Sequence, residues 1–187
     1  MKLSDRYQYF ILCEDVQMDS FINAFLKCNG IICRKRYTIP IPAGKGCGEA
    51  FVRHKLPTEI KMLHSKNYNS IVVIACADAD KLSVSNREKM LVDEVKKELP
   101  KWESKKEMLL IWIPKKEIET WIAFFKESVV DEEMEFKHSG HPVECVDEAR
   151  KMYEYCRGEV EYESILPSLS RAKDEYCRVC KLQSNQR

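Results

Sequence analysis

Acids follow apolar runs at two places in this chain: Glu14 and Asp15 after Tyr7–Cys13, and Asp78 and Asp80, separated by Ala79, after Ser70–Ala77. In an extended chain the two-residue repeat sends Asp78 and Asp80 to the same side. A further acid, Glu119, comes shortly after the apolar run Met108–Ile113. Carboxylates gathered at one edge repel one another, and at least one pKa rises unless a cation compensates. Hard oxygen ligands of this kind suit Mg²⁺ or Mn²⁺, which keep several waters and bridge to phosphate oxygens. Acids after strands also serve simply as turn formers and helix caps. Taken alone, Glu119 reads as a solvated helix acid at the margin of the apolar stripe Ile118, Trp121, Ile122 and Phe125.

Basic side chains stand where a phosphate would lie. The stretch Gly44-Lys45-Gly46-Cys47-Gly48 offers backbone N–H groups and the Lys45 amine, with Arg53 soon after and Arg87 shortly beyond the Asp pair. Each of the three also reads as an ordinary solvated charge. The loop lacks the order Gly-x-x-x-x-Gly-Lys-Ser/Thr, so nothing supports ATP binding by that route. Zinc has weaker candidates in Cys177 with Cys180, Cys28 with Cys33, and His138 with His141 and Cys145. None has a matched second pair at finger-like distance. No His stands beside a Ser or Cys at a strand end, which argues against nucleophilic catalysis.

The elements that must position these residues alternate along the first 127 residues. The compact runs Tyr7–Cys13, Ile31–Pro42, Ser70–Ala77 and Met108–Ile113 read as strands, with Pro40 and Pro42 marking the second as an edge. Between and after them come helical patterns. One carries Phe21, Ile22, Phe25 and Leu26 and is closed by Gly30; one runs from about Glu49 to Lys66, to be kinked or split at Pro57. A third opens with the capping-box spacing Ser85 to Glu88 and ends near Leu99; a fourth has Pro114 in its first turn. A β-α-β-α-β-α-β-α order implies an α/β fold with a mainly parallel sheet, whose ligands bind beyond the carboxyl ends of the strands. Residues 128–187 lack strand signals. They read as a polar loop and two helices, Val143–Cys156 and Pro167–Lys181, forming a helical extension packed on the 1–127 core, with Gln183–Arg187 frayed.

Composition narrows the classes. Among 187 residues, 31 bases face 30 acids for a net charge of +1, so no global field advertises a nucleic-acid or membrane partner. The apolar runs fall well short of the roughly 18–20 residues of a membrane span. The opening Met1–Tyr7 has no apolar signal stretch, so the expected location is cytoplasmic, with the nine cysteines as reduced thiols.

An acid closing the first strand, Asp-x-Asp after the third and an acid beyond the fourth together resemble the TOPRIM domain of topoisomerases, primases and nucleases. The likeness spans about residues 7–127. It is carried also by Pro42–Glu49 with Val52-Arg53, by Ser83-Val84-Ser85-Asn86-Arg87 and by Ile113–Trp121, and the tail pattern Leu166–Leu169 with Glu175–Arg178 is similar to the same group. The proteins it looks like are small bacterial TOPRIM proteins, some of them encoded beside ATPases in phage-defence loci. The resemblance implies a four-stranded TOPRIM-like sheet and a Mg²⁺ or Mn²⁺ site of Glu14, Asp78 and Asp80, with Glu119 for a second ion. It also implies that Lys45, Arg53 and Arg87 stabilise charge on phosphate oxygens. Topoisomerases and primases need more apparatus than 187 residues hold. The expectation is therefore a metal-dependent endonuclease acting on DNA or RNA, working with an ATPase partner. The alternative is a non-catalytic subunit that assembles with such a partner through its helical tail.

Overall fold

A computed structural model describes residues 2–42, 48–65, 70–104, 107–127, 130–134 and 144–185. Four strands, β1 (Gln8–Cys13), β2 (Arg36–Thr38), β3 (Ile71–Cys76) and β4 (Leu109–Trp112), form one sheet in the order β2-β1-β3-β4, every pair parallel. The helices are α1 (Val16–Cys28), α2 (Gly48–Ser65), α3 (Val84–Glu98), α4 (Ile118–Glu127), α5 (Val146–Arg157) and α6 (Pro167–Asn185); a 3₁₀ turn, Cys33–Lys35, precedes β2.

Strand alternation divides the core into two layers. Tyr9, Ile11, Cys13, Val72, Ile74, Cys76, Leu110 and Trp112 face α1, α4, α5 and α6. Leu12, Val73, Ala75, Leu109 and Ile111 face α2 and α3 on the other side. With both faces covered, β3 is buried along its whole length, as its unbroken apolar sequence requires. The two tail helices share the first layer. Trp112 Nε1 donates to the Ala172 carbonyl at 3.1 Å, Trp121 Nε1 donates to Ser168 Oγ at 2.8 Å, and the Tyr176 hydroxyl reaches Asn29 Oδ1 at 3.1 Å.

Local signals explain most boundaries. Asp15 caps α1 by accepting from the Met18 N–H at 2.8 Å. Gly30, at φ 81°, closes that helix with paired bonds from Gly30 N–H to Lys27 O and from Ile31 N–H to Leu26 O. The short β2 lies at the sheet edge, where two following prolines cost no ladder bonds.

Four expectations need correction. Ser83, not Ser85, caps α3, accepting from the Asn86 N–H at 3.1 Å. Pro57 does not split α2, because Val52, Leu56 and Ile60 bury one continuous stripe across it. Pro114 precedes α4 by a short loop instead of sitting in its first turn. Gln183 belongs to α6 and is buried, accepting from the Ser4 N–H at 2.8 Å and donating to the Tyr9 hydroxyl at 3.3 Å; it is no frayed end.

Candidate active site

The parallel register brings the strand-end acids together. Cys13 pairs with Cys76 across β1 and β3, so Glu14 stands one residue beyond that pair and Asp78 two. The ladder runs on past it, with Glu14 N–H to Cys76 O at 3.2 Å and Ala79 N–H to Pro114 O at 2.9 Å. The Asp78 N–H donates to Glu14 Oε2 at 3.0 Å. The start of α2 closes over the same carboxylate: a Cβ built on Gly48 would lie 2.8 Å from Glu14 Oε1.

Asp78 is 8 % exposed, and its Oδ1 is buried without a hydrogen-bond partner. Burial, reinforced by the charges of Glu14, Asp15, Asp80 and Glu119, pushes its pKa up to about 10. Burial also raises Glu14, against the pull of the Asp78 N–H. Glu119 lies in the first turn of α4, partly buried, and acts on Asp78 through its charge.

Asp80 reaches this edge differently from the strand-repeat expectation. The extended chain stops at Ala79, a turn follows with Leu82 N–H bonded to Ala79 O at 2.9 Å, and Asp80 adopts φ 54°. A short polar side chain tolerates that left-handed conformation better than most. Its carboxylate, 55 % exposed, pairs with Arg87 Nη2 at 3.1 Å.

Arg87 is nearly buried and ties the edge to α2, its Nη1 lying 2.8 Å from Glu49 Oε2. Arg53 meets the same oxygen through Nε at 3.3 Å and reaches Glu94 Oε2 at 3.6 Å, so it stands one carboxylate removed from Arg87. Lys45 lies outside the described residues. An open depression of about 530 Å³ is lined by Asp78, Asp80, Lys81, Leu82, Arg87, Lys116 and Glu117. Glu49, Lys81 and Lys116 are additions to the sequence reading. Lys116 was accessible to the same strand-end rule that selects the acids, and Glu49 to its i, i+4 spacing from Arg53. Asp15 acts as a helix cap, and the neighbouring Asp19 turns to the β2 edge, where Thr38 Oγ1 donates to it at 2.6 Å.

Among the described residues, no three His, Cys, Asp or Glu side chains form a ready-made metal-binding group. The donor set nevertheless fits a hard cation: it is all oxygen, and the orphaned Asp78 Oδ1 lacks the partner a cation would supply. The thiol candidates fit zinc less well. Cys145 and Cys180 are core residues, Cys177 packs against that core, and the eight described cysteines are free. Cys33 is exposed and Cys28 partly so, while His138 and His141 lie outside the described residues. No helix among the described residues is long and apolar enough to cross a membrane. The chain matches no protein-family model, no curated protein and no solved structure.

Proposed function

We propose that this chain is a TOPRIM-like, Mg²⁺- or Mn²⁺-dependent endonuclease that hydrolyses phosphodiester bonds of DNA or RNA. In this reading it acts in the cytoplasm as the effector of an anti-phage system with an ATPase partner. The observation that carries the chemistry is the buried Asp78 carboxyl beside Glu14, with its Oδ1 unpartnered, at the carboxyl edge of a parallel sheet. Glu14, Asp78 and Asp80 would hold the ion, with Glu119 available to a second. When bound, such an ion polarises a phosphate and lowers the pKa of a water. The Asp78 N–H orients Glu14, and Arg87, braced by Asp80, would offer a fixed positive charge to a phosphate oxygen. Lys81 and Lys116 rim the depression through which a backbone would approach.

The test is cleavage of single- and double-stranded DNA and of RNA with Mn²⁺. Wild-type protein should cut at least one of them, and Asp78→Asn with Asp80→Asn should not. Undiminished cleavage by the double variant would remove the assignment. One observation favours a second reading, a non-catalytic subunit assembled with an ATPase: both Arg53 and Arg87 are already engaged by Glu49. Failure of the wild type to cleave any substrate or to bind Mn²⁺ would select it.

A further inference from the structure

We propose that Arg53 and Arg87 form a seat for a phosphate oxygen that Glu49 fills with its own carboxylate in the resting protein. The inference rests on the phosphodiester reading above and adds to it a self-masking step. Guanidinium groups from α2 and α3 converge on one oxygen, Glu49 Oε2, at 2.8 Å from Arg87 Nη1 and 3.3 Å from Arg53 Nε. The seat is held from behind. The Arg87 side chain is 5 % exposed, and its Nη2 is fixed by Asp80 Oδ2 at 3.1 Å and by the Ala79 carbonyl at 3.5 Å. Its Nη1 alone faces the Glu49 carboxylate, while its Nε is buried. Arg53 is braced in turn by Glu94.

The occupant is the movable member. Glu49 hangs from the first turn of α2 with its side chain 24 % exposed, so rotation places its carboxylate in water without breaking the helix. Its neighbour Gly48 abuts Glu14, and Arg87 grips Asp80, which puts the seat beside the acid edge. Phosphate oxygens accept from guanidinium forks as carboxylates do. Exchange therefore replaces one charged pair by another, with little net gain in the intact chain. Removing the internal anion uncovers the seat.

The experiment is a calorimetric titration of the full chain with inorganic phosphate in the absence of divalent cations. Glu49→Ala should bind phosphate about tenfold or more tightly than wild type, the scale of one charge-assisted hydrogen bond. Glu49→Gln should show a smaller gain, and Arg53→Gln added to Glu49→Ala should erase it. Circular dichroism confirms folding; if Glu49→Ala does not fold, Glu49→Gln decides. No gain in the folded variants, or a gain that survives Arg53→Gln, overturns the seat. Neither metal nor hydrolysis enters this measurement. A gain in a protein that never cleaves nucleic acid would leave the seat standing and remove the nuclease reading. Cleavage without a gain would remove the seat alone.

Discussion

The backbone N–H of Asp78 donates to Glu14 Oε2 at 3.0 Å, so the chain leaving β3 holds the acid that ends β1. One carboxylate is thereby oriented, while the other, on Asp78 itself, stays buried with an oxygen unpartnered. This asymmetry sets how the site should respond to pH, to substitution and to cations.

Without divalent cations, Asp78 should make the fold less stable as pH rises. The unfolded carboxyl releases its proton near the ordinary value of 3.8, whereas the folded one keeps it to about 10. Between those limits the native state binds more protons, so the unfolding free energy falls with increasing pH. Glu14, also raised, acts in the same direction. Asp78→Asn carries no titrating proton, so it should remove much of this slope and gain stability relative to wild type as pH rises from 5 to 9, by about 1 kcal/mol or more, the scale of one pKa unit. Urea unfolding in EDTA from pH 5 to pH 9 measures it; equal slopes would contradict the burial of Asp78.

Gly48→Ala tests the close approach of α2 to Glu14. The added methyl would stand 2.8 Å from Glu14 Oε1, and the carboxylate must move away. Gly48 is the first residue of α2, where alanine gains little helix propensity over glycine, and the atom it meets is the end of a side chain that can swing away, so thermal stability should change little. Mn²⁺ affinity should fall roughly tenfold, the size of effect seen when a ligand's orienting neighbours are disturbed. Retained affinity would show that Glu14 does not need its present position.

The tail helices should prove inseparable from the sheet. Tyr176 on α6 is fully buried, meets the Phe25 ring edge-on at 5.7 Å and hydrogen-bonds Asn29. Tyr176→Ala should cost about 3–5 kcal/mol in chemical denaturation, as large aromatic deletions do. A loss below about 1 kcal/mol would make α6 a loosely attached element.

The architecture is legible in the sequence because its signals are local. Apolar runs and Gly30 specify strands and a helix stop within a few residues of themselves, and the β-α alternation then dictates a parallel sheet. The adjacency of Glu14 and Asp78 follows from the strand-end rule. What escapes the sequence depends on contacts between distant segments. Gln183 looks terminal and polar, yet Ser4 and Tyr9 bury it. Glu49 looks like a surface helix acid until Arg87 arrives from α3. Asp80 looks like the next residue of a strand, but the turn bond from Leu82 to Ala79 sends it into a left-handed conformation. In each case the partner lies on another element or in a turn that no hydrophobic period encodes.

The most direct test is a calorimetric titration of the full chain with Mn²⁺ at pH 7, repeated in buffers of different ionisation enthalpy. Wild-type protein should bind Mn²⁺ and release about one proton as Asp78 ionises against the cation, and Asp78→Asn should lose both signals. Absence of Mn²⁺ binding by the wild type, or equal binding by Asp78→Asn, would contradict a cation site at this edge.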